Sequence, residues 1–218
     1  REEHTWYMNS YRDLPLDSSY GKYPVIIYVH GTGSFKYAHH VLATHWASRG
    51  FVVISCDNPY MNIKDVLANA ANILRNDQAG DTKKIITAIK SPTGDLAFLS
   101  GKIDTTRIGL SGHSAGGAAV ASLNNVSGVQ VVIPMAAAAK VTRGLYGYVK
   151  GAMLMGGIND NTNKWSTEQT AYTNTTISNK RLVGIPNAGH NVFTNICESV
   201  AKAEDYGFDL GAMETVAH

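Results

Sequence analysis

Long hydrophobic runs, excess charge of one sign and cysteine are all scarce in this chain of 218 residues. No apolar stretch approaches the roughly 18 residues of a membrane span, and a run such as Val25–Val29 has only the length of a buried strand. The net charge is +2, and no Lys/Arg run or basic stripe is present. The sequence therefore predicts neither a membrane span nor a nucleic-acid partner.

The two cysteines, Cys56 and Cys197, do not have a metal-binding spacing. Cys56 ends an apolar strand pattern and is interpreted as a buried thiol, with a Cys56–Cys197 disulfide as the alternative. His39, His40 and His45 lie close together in sequence, but their helical spacing does not bring them to one face and no carboxylate cluster accompanies them. We interpret them as part of a solvated helix and expect no metal site.

The length and the apolar content of 44% suffice for one α/β domain spanning residues 1–218, without linker, repeat or low-complexity tract. Strand-like and helix-like segments alternate, which predicts a parallel sheet with helices on its faces. Strand patterns cover residues 23–29, 51–55, 107–111, 129–134, 152–156 and 181–185. Helix patterns cover residues 37–49, 62–75, 82–90 and about 193–204, with a polar loop around Gly80 and a polar surface excursion at 159–179 that includes a short helix.

The chain begins at Arg1 rather than at a methionine, so we expect a processed or trimmed product. It stops abruptly at His218, and we expect the native gene product to continue. We expect a secreted or periplasmic location, and the sequence does not predict an oligomeric state.

The most informative segment is Gly112–Gly117, which follows the apolar run 107–111 and leads into an alanine-rich helix pattern. It matches the G-x-S-x-G nucleophile elbow, a strand–turn–helix unit that presents a serine hydroxyl above a sheet. Glycine is required at positions 112 and 116 because strand and helix approach so closely that a Cβ at either position would collide. The pattern predicts Ser114 as a catalytic serine; the alternative is a tight turn with a buried hydroxyl.

A serine needs a base to remove its proton and a third group to hold that base in one tautomer. In proteins with this elbow, the acid and then the histidine follow the serine along the chain. Of the histidines, His190 and His218 lie downstream of Ser114; His190 follows an apolar strand, whereas His218 is the last residue. We predict His190 as the base. We predict Asp160 as the acid, since it follows the strand at 152–156, with Glu168 in a polar helix as the alternative.

The oxyanion of a tetrahedral intermediate needs two hydrogen-bond donors. The backbone N–H of Ala115 is the first candidate, since it lies at the positive end of the helix after the elbow. The loop that begins at His30 follows an early strand, and we predict the N–H of Thr32 as the second donor, with Gly33 as the alternative. His30 itself is interpreted as a hydrogen-bonding residue behind the site rather than as the base.

Phe35 and Trp165 lie in predicted loops that should border the serine, and Tyr60 follows the strand that ends at Cys56. Aromatic side chains in such loops can pack against the acyl or aromatic part of a substrate. We treat Phe35 and Trp165 as candidate substrate-binding residues; anchoring of the loops is the alternative.

Residues 101–117 resemble the α/β-hydrolase branch that holds dienelactone hydrolases, platelet-activating-factor acetylhydrolases, chlorophyllases and bacterial cutinases or polyester hydrolases. Together with residues 30–32, the resemblance covers roughly residues 23–198. It implies an α/β-hydrolase fold with a mostly parallel sheet of about eight strands flanked by helices. It also implies ester hydrolysis through an acyl-enzyme, without a metal or an organic cofactor.

The spacing of Ser114, Asp160 and His190 is also similar to that branch. By position, the resemblance implies Ser114 as the nucleophile, His190 as the general base and then acid, and Asp160 as its orienting partner. Thr32 and Ala115 would supply the oxyanion hole.

The chain departs from this branch in three places. Dienelactone hydrolases carry a cysteine where Ser114 stands, which disfavours that activity here. Polyester hydrolases usually have a methionine at the position of Ala115 and an aromatic residue at that of Thr32. The connection 136–150 is too short for a helical lid, so we expect no lid domain, an open cleft and no interfacial activation.

These observations predict a cutinase-like serine carboxylesterase that acts on short-to-medium acyl esters or on polymeric or plant-derived esters. The partner would be a small-molecule or polymeric ester. An acyltransferase or a peptidase with the same triad is one alternative, and a catalytically inactive binding protein on the same scaffold is another.

Overall fold

The structure is a computed structural model that describes residues 10–11, 13–17 and 19–195. Its sheet has six strands in the order β2-β1-β3-β4-β5-β6, and every pair of neighbours is parallel. The strands are β1 Tyr23–Val29, β2 Val52–Ser55, β3 Ile103–His113, β4 Val129–Met135, β5 Gly151–Gly157 and β6 Lys180–Ile185. The helices are α1 His40–Ser48, α2 Ile63–Ala68, α3 Gln78–Lys90, α4 Ala115–Ala121 and α5 Trp165–Thr173.

This arrangement confirms the predicted α/β fold with a parallel sheet and flanking helices. The sheet contains the six strands that the hydrophobic pattern predicts; the count of about eight came from the family resemblance, and the described residues supply six.

The strand sequences explain why the sheet lies in the centre of the molecule. Val25, Ile27, Leu110, Val132 and Leu154 are fully buried, and they join one hydrophobic core cluster with residues of the helices. Continuous apolar runs of this kind are typical of parallel strands that are covered on both faces. The buried core therefore holds the strands in place, and the polar functional side chains lie in the loops at the ends of the strands.

The strand order places those loops together. Because β1 lies between β2 and β3, the chain reverses its direction of travel across the sheet beside β1, and ligands bind at the carboxyl ends of strands at such a point. Val29 at the end of β1 lies opposite Gly112, and His113 lies opposite Met135 of β4. The loops after β1, β3, β4, β5 and β6 thus emerge at one edge.

The start of α3 differs from the prediction. Residues 76–81 were expected to form a polar loop around Gly80, but the helix begins at Gln78. Asp77 caps it, since its side-chain oxygen accepts a hydrogen bond from the Gly80 N–H at 2.9 Å. Gly80 is thus a first-turn residue, and the buried Gln78 and Thr82 face the core side.

The helix pattern at 62–75 is divided in the structure. α2 ends at Ala68, and a 3-10 helix follows over Ala70–Arg75, because the Asn69 side chain accepts from the Ala71 N–H and starts a new turn. Near the end of the described chain, His190–Phe193 forms a 3-10 helix. The rest of the predicted closing helix, together with Cys197 and His218, lies outside the described residues.

Two further 3-10 and loop segments complete the fold. Gly94–Leu99 is a short 3-10 helix before β3. The connection 136–150 between β4 and β5 contains no helix. In the part of the chain that the structure describes, no helix combines the length and the apolar character of a membrane span.

Candidate active site

The elbow is formed where β3 ends at His113 and α4 begins at Ala115. Ser114 between them has φ 53° and ψ −123°, a conformation that residues with a side chain rarely adopt. Strain of this kind persists only where the surroundings enforce it, and it clusters at functional sites. Ser114 therefore has the backbone geometry of a nucleophile elbow.

Glycines enforce this geometry, as the sequence predicted. A Cβ on Gly112 would lie 2.6 Å from the backbone carbon of Gly116, and one on Gly116 would lie 2.2 Å from the Val29 oxygen. The next residue, Gly117, is equally tight, because a Cβ there would lie 2.6 Å from that of Ala137. The elbow thus packs directly against the ends of β1 and β4.

Asp160 and His190 meet on the neighbouring loops. His190 Nδ1 lies 2.8 Å from Asp160 Oδ2. The other oxygen, Oδ1, accepts backbone hydrogen bonds from Thr162 (2.7 Å) and Asn163 (2.8 Å). A carboxylate accepts, so His190 Nδ1 carries the hydrogen and Nε2 is left with a lone pair, which is the tautomer that a general base needs.

Gly157 allows these two loops to approach each other. A Cβ on Gly157 would lie 2.3 Å from the oxygen of Ala188, and the N–H of Asn159 donates to that same oxygen at 3.0 Å. The carboxylate of Asp160 is buried, and the His190 ring is largely buried. The pair is therefore held in place with little exposure to water.

His113 joins the His190 loop to the elbow. Its Nε2 donates to the backbone oxygen of His190 at 2.9 Å, and the two ring centroids are 4.8 Å apart. Burial, followed by the nearby His190, lowers the pKa of His113 to about 4. A neutral His113 thus fixes the His190 loop beside Ser114. Sequence reasoning did not assign this role, although His113 stands in the elbow motif.

The loop after β1 is braced by His30, which is fully buried. Its Nε2 accepts from the Asn58 N–H at 2.9 Å, so Nδ1 carries the hydrogen and donates to the Gly31 oxygen at 2.7 Å. Gln78 donates to the His30 carbonyl at 2.8 Å. Burial lowers the pKa of His30. These contacts agree with the prediction that His30 is a hydrogen-bonding residue behind the site.

The candidate oxyanion donors lie on this loop and on the elbow. Gly31 lies close to Ser114, because a Cβ on Gly31 would be 3.1 Å from the Ser114 Cβ. Thr32 follows and is exposed. The N–H of Gly33 is already donated to the Met61 oxygen at 2.8 Å, which leaves Thr32 as the candidate on this loop. Ala115 begins α4, where the N–H groups have no partner within the helix.

The aromatic candidates occupy different surroundings. The Trp165 ring lies over two glycines of the sheet: a Cβ on Gly184 would be 2.8 Å from it, and one on Gly156 would be 3.3 Å away. This packing supports the loop-anchoring alternative for Trp165. Phe35 is half-buried in the loop after β1. The Arg75 guanidinium lies over the Tyr60 ring at 4.4 Å.

The interpretation of His39 as part of a solvated helix is wrong. His39 is 2% exposed, and its ring lies 4.2 Å from the Tyr28 ring and 5.7 Å from the His113 ring. Burial lowers the pKa of His39 to about 3. His45 is exposed, as predicted. Within the described residues, no three His, Cys, Asp or Glu side chains are close enough to hold a metal ion.

Glu168, the alternative acid, does not contact His190. It was placed in a polar helix at the surface, but it is fully buried, and its Oε1 accepts from the N–H groups of Ala137 and Ala138, each at 2.6 Å. The side chain points inward because Gly156 leaves room for it. Gly156 in β5, which lies opposite the one acidic residue of α5, is the sequence feature that could have indicated the burial of Glu168.

A parallel sheet that carries a serine elbow and an acid–histidine pair at its carboxyl edge defines the α/β-hydrolase class. Comparison with known families agrees: the PET hydrolase-like family matches residues 11–205, and the chain belongs to that family. Comparison with curated proteins found no match.

Solved structures of esterases share the fold. A ferulic acid esterase from Streptomyces cinnamoneus superposes with a TM-score of 0.63 at 20% identity, covering 83% of this chain and 56% of that chain. The thermophilic esterase Est2 from the planctomycete Thermogutta terrifontis superposes with a TM-score of 0.57 at 14% identity, covering 85% of this chain and 81% of that chain. The butyrate-bound form of Est2 gives the same TM-score and identity. This chain thus spans little more than half of the ferulic acid esterase chain.

Proposed function

We propose that this protein hydrolyses carboxylic esters with Ser114 as the nucleophile, His190 as the general base and then acid, and Asp160 as the residue that orients His190. The observation that carries the proposal is the 2.8 Å contact between His190 Nδ1 and Asp160 Oδ2. It stands on the same sheet edge as the strained elbow, and His113 ties the two together.

In the first half of the reaction, Ser114 Oγ attacks the carbonyl carbon of the ester while His190 Nε2 takes the hydroxyl proton. The negative charge moves to the carbonyl oxygen, where the N–H groups of Thr32 and Ala115 stabilise it. Asp160 balances the positive charge of the imidazolium. Collapse breaks the bond to the alkoxy oxygen, which leaves as an alcohol after receiving the proton from His190.

In the second half, water attacks the acyl-enzyme, and His190 Nε2 takes a proton from that water. A second tetrahedral intermediate forms, and its oxyanion accepts hydrogen bonds from the same two N–H groups. Its collapse releases the carboxylic acid and returns the proton to Ser114 Oγ. Neither half requires a metal ion or an organic cofactor.

The substrates that we propose are esters with short-to-medium acyl groups. The connection 136–150 carries no helix that could cover the serine, and Thr32 in the loop after β1 is exposed. The butyrate-bound form of Est2, a similar fold, supports a short acyl group. Membership of the PET hydrolase-like family supports a polymeric ester as the second candidate substrate.

The test is the hydrolysis of p-nitrophenyl acetate and p-nitrophenyl butyrate by the wild type, Ser114→Ala and Ser122→Ala. We expect Ser114→Ala to lose at least about 1000-fold in kcat. Ser122→Ala, an exposed serine after α4, should retain wild-type turnover. Equal rates for the wild type and Ser114→Ala would overturn the proposal.

Three further substrates separate the remaining functions. Release of soluble acid from an amorphous polyester film would establish the polymeric substrate. Butyryl p-nitroanilide tests a peptidase, because its amide nitrogen is a poorer leaving group than an ester oxygen. Added alcohol acceptors test an acyltransferase, since ester product would then appear in place of acid.

A further inference from the structure

Glu168 is a buried acid that the proposed mechanism does not use. It is 0% exposed, although the residues on either side of it in α5, Thr167 and Gln169, are exposed. Burying a carboxylate is unfavourable unless hydrogen bonds compensate. The N–H groups of Ala137 and Ala138 supply two such bonds to Oε1, each 2.6 Å long, whereas Oε2 is buried without a hydrogen-bond partner among the described residues.

The backbone that receives this carboxylate is strained. Ala136 has φ 46° and Ala138 has φ 48°, both in the left-handed region that favours glycine. Each such residue costs on the order of 1 kcal/mol or more. Successive N–H groups that converge on one oxygen form an anion-binding nest, so the carboxylate of Glu168 offsets the strain of the 136–138 turn.

The sheet makes room for this contact. A Cβ on Gly156 would lie 2.9 Å from Cγ of Glu168, so the side chain crosses β5 at a position where only glycine fits. Two separate elements therefore accommodate the buried Glu168 side chain: β5 leaves space at Gly156, and the 136–138 turn donates hydrogen bonds.

Hydrogen bonds connect this turn to the site on both sides. On one side, the Met135 oxygen accepts from the Ser114 N–H at 2.9 Å. On the other side, the Asn163 side chain donates to the Ala136 oxygen, and the Asn163 N–H donates to Asp160 Oδ1 at 2.8 Å. The 136–138 turn thus lies between the elbow and the turn that holds Asp160.

We propose that Glu168 is a positioning residue for ester hydrolysis: its carboxyl oxygen Oε1 holds the 136–138 turn, and Asn163 carries that constraint to Asp160. The inference depends on the proposed roles of Ser114 and Asp160. It predicts that neutralising Glu168 loosens the Asp160–His190 geometry without removing any group that contacts the substrate.

The charges around Glu168 give this role a pH dependence. Burial is the main influence and raises the pKa of Glu168 above the ordinary value, and Asp160 acts in the same direction. The two alanine N–H groups and His190 lower it. The β5 and turn residues that face Glu168 are glycine and alanine, which carry no charge. Glu168 is therefore protonated at a higher pH than an exposed glutamate, and its hydrogen bonds to the turn weaken as the pH falls through that value.

The test compares Glu168→Gln and Glu168→Ala with the wild type, with Gln169→Ala as the matched control on the exposed side of α5. We expect Glu168→Ala to lower kcat by about 10- to 100-fold with KM within about twofold of the wild type, because misplacement rather than binding is affected. Glu168→Gln should lose less, since its amide oxygen still accepts from the turn. Gln169→Ala should behave as the wild type.

The pH profile separates positioning from simple stabilisation. In the wild type, kcat/KM should show an additional step on the acid side as Glu168 is protonated, about as large as the loss measured for Glu168→Gln at higher pH. Glu168→Gln should lack that step, because its amide does not ionise. If Glu168→Ala does not fold, this comparison carries the test alone.

A second readout does not depend on turnover. In NMR spectra of Ser114→Ala, the Ala137 and Ala138 amide shifts should titrate together with a midpoint above the ordinary glutamate pKa, and Glu168→Gln should abolish that titration. Unchanged kcat and an unchanged acid side of the pH profile in both Glu168 variants, or amide shifts that do not titrate, would overturn the inference. Full turnover by Ser114→Ala would overturn only the proposed function.

Discussion

Replacing Asp160 with asparagine should reverse the hydrogen-bonding role of His190 and leave the fold intact. In the wild type, Oδ1 accepts from the N–H groups of Thr162 and Asn163, and Oδ2 accepts from His190 Nδ1. An asparagine has one acceptor. The two backbone donors fix that acceptor on their side, so the NH₂ group must face His190.

The size of the effect follows from these contacts. With NH₂ donating to Nδ1, the hydrogen of His190 moves to Nε2, and the ring cannot take the proton of Ser114. Turning the amide over would set NH₂ against two N–H groups, at a cost of about 1–3 kcal/mol for each lost bond. The productive form is therefore a small minority. We expect kcat/KM of Asp160→Asn to fall by about 10³- to 10⁴-fold, or about 4–5 kcal/mol.

The assay is p-nitrophenyl butyrate hydrolysis at neutral pH, with the melting temperature as the check on folding. Asn161→Asp, at the exposed next position, is the matched exchange in the same turn and should stay within about twofold of the wild type, as surface substitutions usually do. A folded Asp160→Asn variant with kcat/KM within tenfold of the wild type would refute the reasoning.

Two further predictions concern the oxyanion loop and the buried histidines. Gly31→Ala places a methyl group 3.1 Å from the Ser114 Cβ and should lower kcat about tenfold, because it displaces an oxyanion donor. Gly109→Ala is the control and should keep the wild-type kcat, because the nearest atom to its new methyl group is 3.6 Å away. Equal kcat values for the two variants in steady-state kinetics would contradict this prediction. The pKa of His39 is about 3 in the folded chain and 6.5 in a free chain. Between these pH values the unfolded state binds one more proton than the folded state, so the free energy of unfolding decreases as the pH falls, by up to about 3 kcal/mol at pH 4. In melting curves, His39→Leu should lose less stability than the wild type between pH 7 and pH 4. The exposed His45→Gln is the control and should lose as much as the wild type. Equal losses in all three proteins would contradict the lowered pKa of His39.

The elbow was predictable because its requirements are local. Gly112 and Gly116 are needed where strand and helix touch, and both residues lie within a few positions of Ser114. Chain order then selected His190 and Asp160 from few candidates, and the structure brings those two side chains within hydrogen-bonding distance. Their catalytic roles remain predictions.

The features that sequence reasoning missed depend on contacts between distant segments. Glu168 looks like a surface residue of a polar helix until β5 supplies a glycine opposite it. The sequence places His39 in a solvated helix, but in the structure the Tyr28 and His113 rings pack against it. Gly80 breaks a helix pattern by composition, but the Asp77 cap starts the helix before it. No periodicity within a single segment carries this information.

The most direct test of the account is covalent labelling with a fluorophosphonate, followed by mass spectrometry of the labelled peptide. We predict one adduct per chain, located on Ser114, with labelling abolished in Ser114→Ala and slowed strongly in a His190→Ala variant. An adduct on another residue, or equal labelling of the wild type and Ser114→Ala, would contradict the assignment of this serine as the nucleophile.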